Sequence, residues 1–326
     1  MQGKVIVRGT IRCQPDEVDA LLRALADHVA LSRAEPGCVQ FDIVQSAHGP
    51  CCFGVTEEFI DRTAFEAHTA RTRASSWWAA SQHFTRDIVV TDRPSQRDTH
   101  DWTPPQAPPD DLCLRGRHVW LERLDADAHG AALFAANSAA ENWAYLPYGP
   151  FDRLEDYMAW IADACRGQDP HFFAILDQNT RRALGVASYL RINPAAGSIE
   201  VGHINFSPSL QRTPGATEAM YLMMRWAFAA GYRRYEWKCN ATNLASRRAA
   251  ERLGLSYEGV FRNHMSVKGQ NRDTAWFAAI DTEWPSLDQA FAHWLAPENF
   301  ADDGRQRQRL WDLTAPFRVS DDPGRA

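Results

Sequence analysis

Residues 211–219, Gln-Arg-Thr-Pro-Gly-Ala-Thr-Glu-Ala, have the composition of a turn that opens a helix around an anion. Small side chains there let the backbone approach a phosphate. The first turn of a helix adds unpaired N–H groups and roughly half a positive charge. Most strand–turn–helix units bind nothing, so the turn alone leaves a purely structural reading open beside the phosphate one.

The flanking elements would have to position that turn. Ser198–Phe206 is rich in β-branched and aromatic residues and stops at Ser207-Pro208, which reads as a strand. After the turn, Met220, Met223, Met224, Ala227 and Phe228 fall at i, i+3, i+4, i+7 and i+8, one apolar helix face ended by Gly231. Residues 234–239 give a second strand. Residues 243–254 give a polar start, a short helix and a glycine stop.

Taken together, residues 198–255 resemble the core of the GNAT acyltransferase superfamily, nearest the type that acetylates ribosomal-protein N-termini. The turn, the run Asn243-Leu244-Ala245-Ser246-Arg247-Arg248-Ala249-Ala250-Glu251-Arg252-Leu253-Gly254-Leu255, then Tyr257-Glu258-Gly259-Val260-Phe261-Arg262 and Asn271-Arg272-Asp273, carry the resemblance. It extends over roughly residues 115–283. The family turn is Gln/Arg-x-x-Gly-x-Gly/Ala. This chain keeps Gln211 and Ala216 but has Pro214 at the first glycine, which removes one amide donor.

The resemblance implies acetyl-CoA as co-substrate, no metal, and direct transfer to an amine of a small molecule or protein N-terminus. It sets Ile204, Asn205 and Phe206 beside the thioester carbonyl, where one aimed donor is worth about 3–4 kcal/mol. Gln211, Arg212, Thr213, Gly215, Ala216 and Thr217 would hold the pyrophosphate, and Asn243 and Ser246 the pantetheine or sulfur. Ser246 is the candidate proton donor, because Ala250 occupies the position where many relatives have tyrosine; its other reading is a helix-capping hydroxyl. Glu200 is the candidate general base, a role worth about 10²–10⁴-fold, or else a solvated strand glutamate. Alternation puts His203 on the opposite face from Glu200 unless a bulge intervenes. Trp143, Tyr145, Tyr148 and His203 are assigned to the acceptor wall, with core packing as the other reading of the three aromatics. Trp120, Trp160, Trp226 and Trp237 are assigned to the core.

The first 92 residues read strand, helix, strand, strand, helix, strand, the ferredoxin-like βαββαβ order. Ser32-Arg33-Ala34-Glu35-Pro36-Gly37-Cys38 and Glu57-Glu58-Phe59-Ile60-Asp61-Arg62-Thr63-Ala64-Phe65-Glu66-Ala67-His68 resemble the antibiotic-biosynthesis monooxygenase (ABM) domain. Members oxidise aromatic substrates such as quinols without a dedicated cofactor. His68, Trp77 and Trp78 are the candidate lining of an N-terminal pocket, with core or interface packing as their alternative. A domain this small gains from dimerisation, so a homodimer through it is expected.

The fold class is therefore α+β. Residues 1–92 form the ABM-like domain, 93–111 a Pro-rich linker, 112–300 the GNAT domain with its mixed sheet, and 301–326 a charged tail expected to be partly disordered. A net charge of −6 without blocks of like charge argues against nucleic acid, and mildly favours a cationic acceptor. Seven cysteines, with no Cys-x-x-Cys pair, suit a reduced cytosol. The chain shows neither a signal-peptide core nor an apolar run long enough to cross a membrane, which gives a cytoplasmic expectation. Two other functions fit the residues: an oxygenase acting through the N-terminal domain on a quinol-like aromatic, and a non-catalytic acyl-CoA sensor.

Overall fold

Alternating apolar residues build the N-terminal sheet. Val5, Val7, Phe41, Ile43, Phe53, Val55 and Phe59 all point to one buried face, against Leu21 and Leu25 of the first helix. In the computed structural model, which describes residues 3–46, 49–93, 99 and 101–325, the chain forms two compact units that divide after Trp102. The first unit contains β1 (Lys4–Arg12), α1 (Val18–Arg33), β2 (Cys38–Ser46), β3 (Gly49–Phe59), α2 (Arg62–Arg73), α3 (Ser76–Ser81) and β4 (Thr85–Arg93). Its sheet order is β2-β3-β1-β4, and the pairs are antiparallel. Local signals set the boundaries. Asp61 accepts the Ala64 N–H at 2.8 Å to start α2. Gly37 turns the chain with φ +89, and a Cβ there would come within 2.7 Å of the Ala64 methyl. Ala47 and His48 of the expected β2–β3 loop, and residues 94–98 and 100 of the linker, lie outside the described residues.

The second unit is built on an eight-stranded sheet. Its elements are β5 (Leu114–Arg115), β6 (Val119–Arg123), α4 (Ala126–Ala136), α5 (Leu154–Ala164), β7 (His171–Asp177), β8 (Ala183–Asn193), β9 (Ser198–Phe206), α6 (Pro214–Ala229), β10 (Arg234–Asn240), α7 (Leu244–Arg252), β11 (Ser256–Val267), β12 (Gln270–Ile280), α8 (Trp284–Leu295) and α9 (Leu310–Thr314). The strand order is β11-β12-β10-β9-β8-β7-β6-β5, with β9 and β10 parallel and the remaining pairs antiparallel. Strand alternation divides the core. Leu121, Phe173, Ile175 and Tyr189 face α6, while Trp120, Phe172, Ala174 and Val186 pack under α4 and α5. Glu218 ties α6 to the sheet, accepting the backbone N–H groups of Arg117, His118 and Val119 at 2.6–2.9 Å.

Three departures from the sequence reading stand out. The linker part after Trp102 is packed rather than free: Pro105 and Pro108 are buried, and Tyr232 donates to the Gln106 carbonyl. Helix α8 adds Leu287, Phe291 and Trp294 to the core. The charged tail is folded. Leu310 and Thr314 are fully buried, and Asp322 bonds Arg247 of α7 through both oxygens, at 2.6 and 2.5 Å. Composition alone hides this, because a few well-placed contacts order a segment that is otherwise polar.

Candidate active site

The parallel pairing of β9 with β10 runs only from Ser198/Arg234 to Val201/Trp237. Beyond Val201 the two strands separate, so the facing edge of β9 is no longer paired to β10. A cavity of about 1410 Å³ opens there, lined by the end of β9, the starts of α6 and α7, the β11–β12 hairpin and the tail.

Two bulges shape this cavity. Opposite Val186 and Ser188 of β8, β9 uses Asn205 and Gly202, so His203 and Ile204 drop out of the ladder and His203 adopts φ +51. The regular alternation expected for β9 is thereby broken, and Glu200 and His203 line the same cavity. The second bulge falls in β8 between Leu190 and Asn193. Arg191 sits there with φ +46 and places Nη1 2.8 and 2.9 Å from the two Glu200 oxygens.

Glu200 is buried rather than solvated. Lys238 from β10 lies 2.8 Å from its Oε2, and is itself buried between Glu200, Glu236 at 2.7 Å and the face of Trp276 at 3.9 Å. Burial pushes the Glu200 carboxyl above its ordinary range, while Lys238 and Arg191 hold it back. His203 stacks on Tyr148 with ring centroids 5.5 Å apart, and its Nδ1 is 3.1 Å from the Tyr148 hydroxyl. Burial, aided by the Arg191 and Arg272 guanidinia, takes His203 down to about 4, so it is neutral at pH 7.

That depression has a consequence for stability. The unfolded chain protonates the imidazole first, so the contribution of His203 is complete above about pH 6.5 and is lost as the pH falls towards 4, amounting to about 3 kcal/mol. The melting temperature of the C-terminal unit is expected to fall over that window. In His203→Gln the fall should be shallower, and an identical slope would contradict the assignment.

At the turn, Thr213 caps α6: its hydroxyl accepts the Ala216 N–H and donates to the Leu210 carbonyl. Pro214 is the first helical residue, where the missing N–H lacks an intrahelical partner in any case. Gly215 packs against Val119, which a Cβ would meet at 3.0 Å. The Gln211 amide turns back to the Phe206 carbonyl and Asn142, and Arg212 is exposed with φ +61. Arg252 of α7 donates to Thr217 Oγ1 at 3.0 Å and lies over Trp294, with no carboxylate paired to it among the described residues. This half-buried cation beside a helix start suits an anion.

At the start of α7, the Asn243 side chain accepts the Ser246 N–H, and the Ser246 hydroxyl accepts the Trp237 Nε1–H at 3.0 Å. Trp237 belongs to the core, as the sequence assigned it, and also borders the cavity. Cys239 borders it too, its thiol pushed up to about 11 by burial. Asn205 keeps a buried side-chain oxygen without a partner.

The acceptor-wall aromatics separate. Tyr145 is exposed and lines the cavity. Tyr148 stands behind His203. Trp143 does not reach the cavity wall: it is buried in the α4–α5 core and donates Nε1 to the Asn137 carbonyl. Lys238, Arg191, Arg252 and Arg272 were missed in the sequence, because a charge on a strand or helix carries no sign of the cavity it will face.

The N-terminal trio also separates. His68 is buried with Nδ1 2.7 Å from Glu35, and Trp77 belongs to the core, stacked on His28 at 4.8 Å. Trp78 lies instead beneath the Arg86 guanidinium. Among the described residues, no helix is long and apolar enough to cross a membrane, and no group of three or more His, Cys, Asp or Glu is placed to hold a metal.

Comparison with known proteins agrees with this architecture. Residues 118–256 match the acetyltransferase (GNAT) domain family, and residues 4–85 match the antibiotic biosynthesis monooxygenase family. No curated protein matches the chain. Among solved structures, a GCN5-related N-acetyltransferase from Brucella melitensis is 45% identical with a TM-score of 0.64, over 66% of this chain and 99% of that one. A GNAT-family acetyltransferase from Chromobacterium violaceum is 40% identical with a TM-score of 0.56, over 60% of this chain and 98% of that one. The chain belongs to the GNAT acetyltransferase family and carries an ABM domain at its N-terminus.

Proposed function

We propose that the C-terminal domain is an acetyl-CoA-dependent N-acetyltransferase that moves the acetyl group directly to a bound amine. The observation that carries this reading is the separation of β9 from β10 beyond Val201, which leaves a bulged strand edge facing the starts of two helices. The α6 turn with Arg252 fits the phosphates of the co-substrate, and the free edge at Ile204, Asn205 and Phe206 fits its amide-bearing arm. When bound, acetyl-CoA supplies an activated acyl carbon.

The residues then divide the work. Backbone donors of the bulge stabilise the oxyanion, an effect worth about 3–4 kcal/mol per aimed donor. Glu200 accepts the proton that the amine loses as its nitrogen bonds the acyl carbon. As the carbon–sulfur bond breaks, Ser246 gives its hydroxyl proton to the departing thiolate and is reprotonated from solvent, to which Glu200 releases the proton it took. The positive field of Arg191 and Lys238 disfavours an ammonium beside them, and so helps to hold the acceptor as the reactive free amine. This matters for an amine of pKa near 10.4, which at pH 7 costs about 4.6 kcal/mol to deprotonate.

For the N-terminal domain we propose an assembly role, a homodimer through its sheet, since the expected pocket residues are held by Glu35, the core and Arg86. The cytosol is the proposed compartment; it suits seven cysteines that are all free thiols. The experiment that tests the activity is incubation of the full chain with acetyl-CoA and a panel of amines. Recovery of N-acetylated amine and free CoA in equal amounts supports the reading. Thiol release without acetylated amine contradicts it.

A further inference from the structure

From Phe206 back to Glu200, β9 carries the cavity roughly 20 Å away from the α6 turn. The side-chain ion pairs at that far end leave one cation over, and the nearby Asp169 carboxylate is taken by the Arg191 and Ile192 backbone N–H groups. Arg191 and Lys238 share Glu200, Lys238 also holds Glu236, and Arg234 pairs with Glu236 and Glu258. These three cations meet three carboxylates. Arg272 of β12 is the fourth cation. It is half-buried, lines the cavity, and its Nε is buried without a hydrogen-bond partner. Burial weighs against its charge; Cys239 and Glu200 support it only through space, and Arg191 repels it. A guanidinium in that position bears a desolvation cost with no partner to offset it. Its planar fork matches a carboxylate.

We propose that the acetyl acceptor is an amine that also carries a carboxylate, with the carboxylate held by Arg272 and Arg191 and the nitrogen facing Glu200. This rests on the acetyl-transfer reading of the same cavity. The phosphates of the co-substrate do not answer the charge, because their site lies at the α6 end. Polyamines and other purely cationic amines are disfavoured by the same field, so the local charge reverses the preference suggested by the net −6 of the chain.

The test uses matched pairs differing in one group: alanine and alaninamide, methionine and methioninamide, phenylalanine and phenylalaninamide, glutamate and its α-amide. Calorimetric titration of the full chain, alone and with CoA, measures binding; acetylation rates follow. Amidation lowers the basicity of the neighbouring amine, so chemistry alone favours the amides. The proposal expects at least one acid to bind about tenfold or more tighter than its amide. Arg272→Gln should bring that ratio close to one, and Arg272→Lys should retain part of it. Equal or tighter binding of the amides overturns the proposal. So does an Arg272→Gln effect that is the same for both members, or binding by no member of any pair. Acetyl-CoA titrated separately keeps the two readings apart. Acids bound without acetyl-CoA binding would remove the transfer reading and keep the anion site. Acetyl-CoA bound with amides preferred would do the reverse.

Discussion

Glu200→Gln is expected to lower kcat by about 10²–10⁴-fold, the usual worth of a positioned base, while acetyl-CoA affinity stays within about twofold. The substitution keeps the shape of the side chain and an oxygen for Lys238 and Arg191. Lys238 also keeps Glu236 at 2.7 Å and the Trp276 face, so the charge network is not abandoned. What is lost is the ability to take a proton. In the wild-type protein the acid limb of kcat should lie above the ordinary carboxylate range, since burial outweighs the two cations at Glu200. That limb should vanish in the variant. Stopped-flow or thiol-release kinetics across pH check both statements. An unchanged kcat would remove Glu200 as the base, and a parallel loss of acetyl-CoA binding would make its role structural.

Asp322→Ala is expected to destabilise the C-terminal unit by about 3–5 kcal/mol, the cost of stranding one member of a buried ion pair. Both Asp322 oxygens are used by Arg247, and Arg247 also donates to the Ala241 carbonyl at 2.7 Å. The same stretch of chain places the Asp322 N–H on Glu251 and Arg318 on the Glu251 carbonyl. The pair therefore fastens the tail to α7, whose first turn carries Asn243 and Ser246. Urea unfolding of the full chain reads the effect as a lowered midpoint of the C-terminal transition. Asp163→Ala is the control. Asp163 and Arg166 are both exposed and pair on the surface at the end of α5, so its loss should cost less than about 1 kcal/mol. Equal effects of the two substitutions would contradict the account of how the tail is held.

Much of the fold was legible because its main signals are periodic. The β-branched and aromatic run of β9, the i, i+3, i+4 face of α6 and the polar start of α7 at Asn243 each act over a few residues, and each marked an element. The site was only partly legible. Glu200, Ser246, Asn243 and Tyr145 lie on one cavity, as the family resemblance implied. The bulges at Arg191 and His203 were not readable, because positive φ on a non-glycine residue is imposed by the neighbouring strands rather than by its own side chain. Trp143 was misassigned for a related reason: an aromatic loop residue looks the same in sequence whether it turns to a cavity or to the core. Net charge was silent about the site as well. A sum over the whole chain says nothing of Arg191, Lys238, Arg252 and Arg272 gathering along one cavity.

The central claim is that this cavity binds acetyl-CoA, with the α6 turn and Arg252 at its phosphates. Calorimetric titration of the full chain with acetyl-CoA, and with CoA for comparison, tests it most directly. The account predicts saturable one-to-one binding per chain in the micromolar range, weakened about tenfold or more in Arg252→Ala. Absence of binding, or binding untouched by Arg252→Ala, would contradict it.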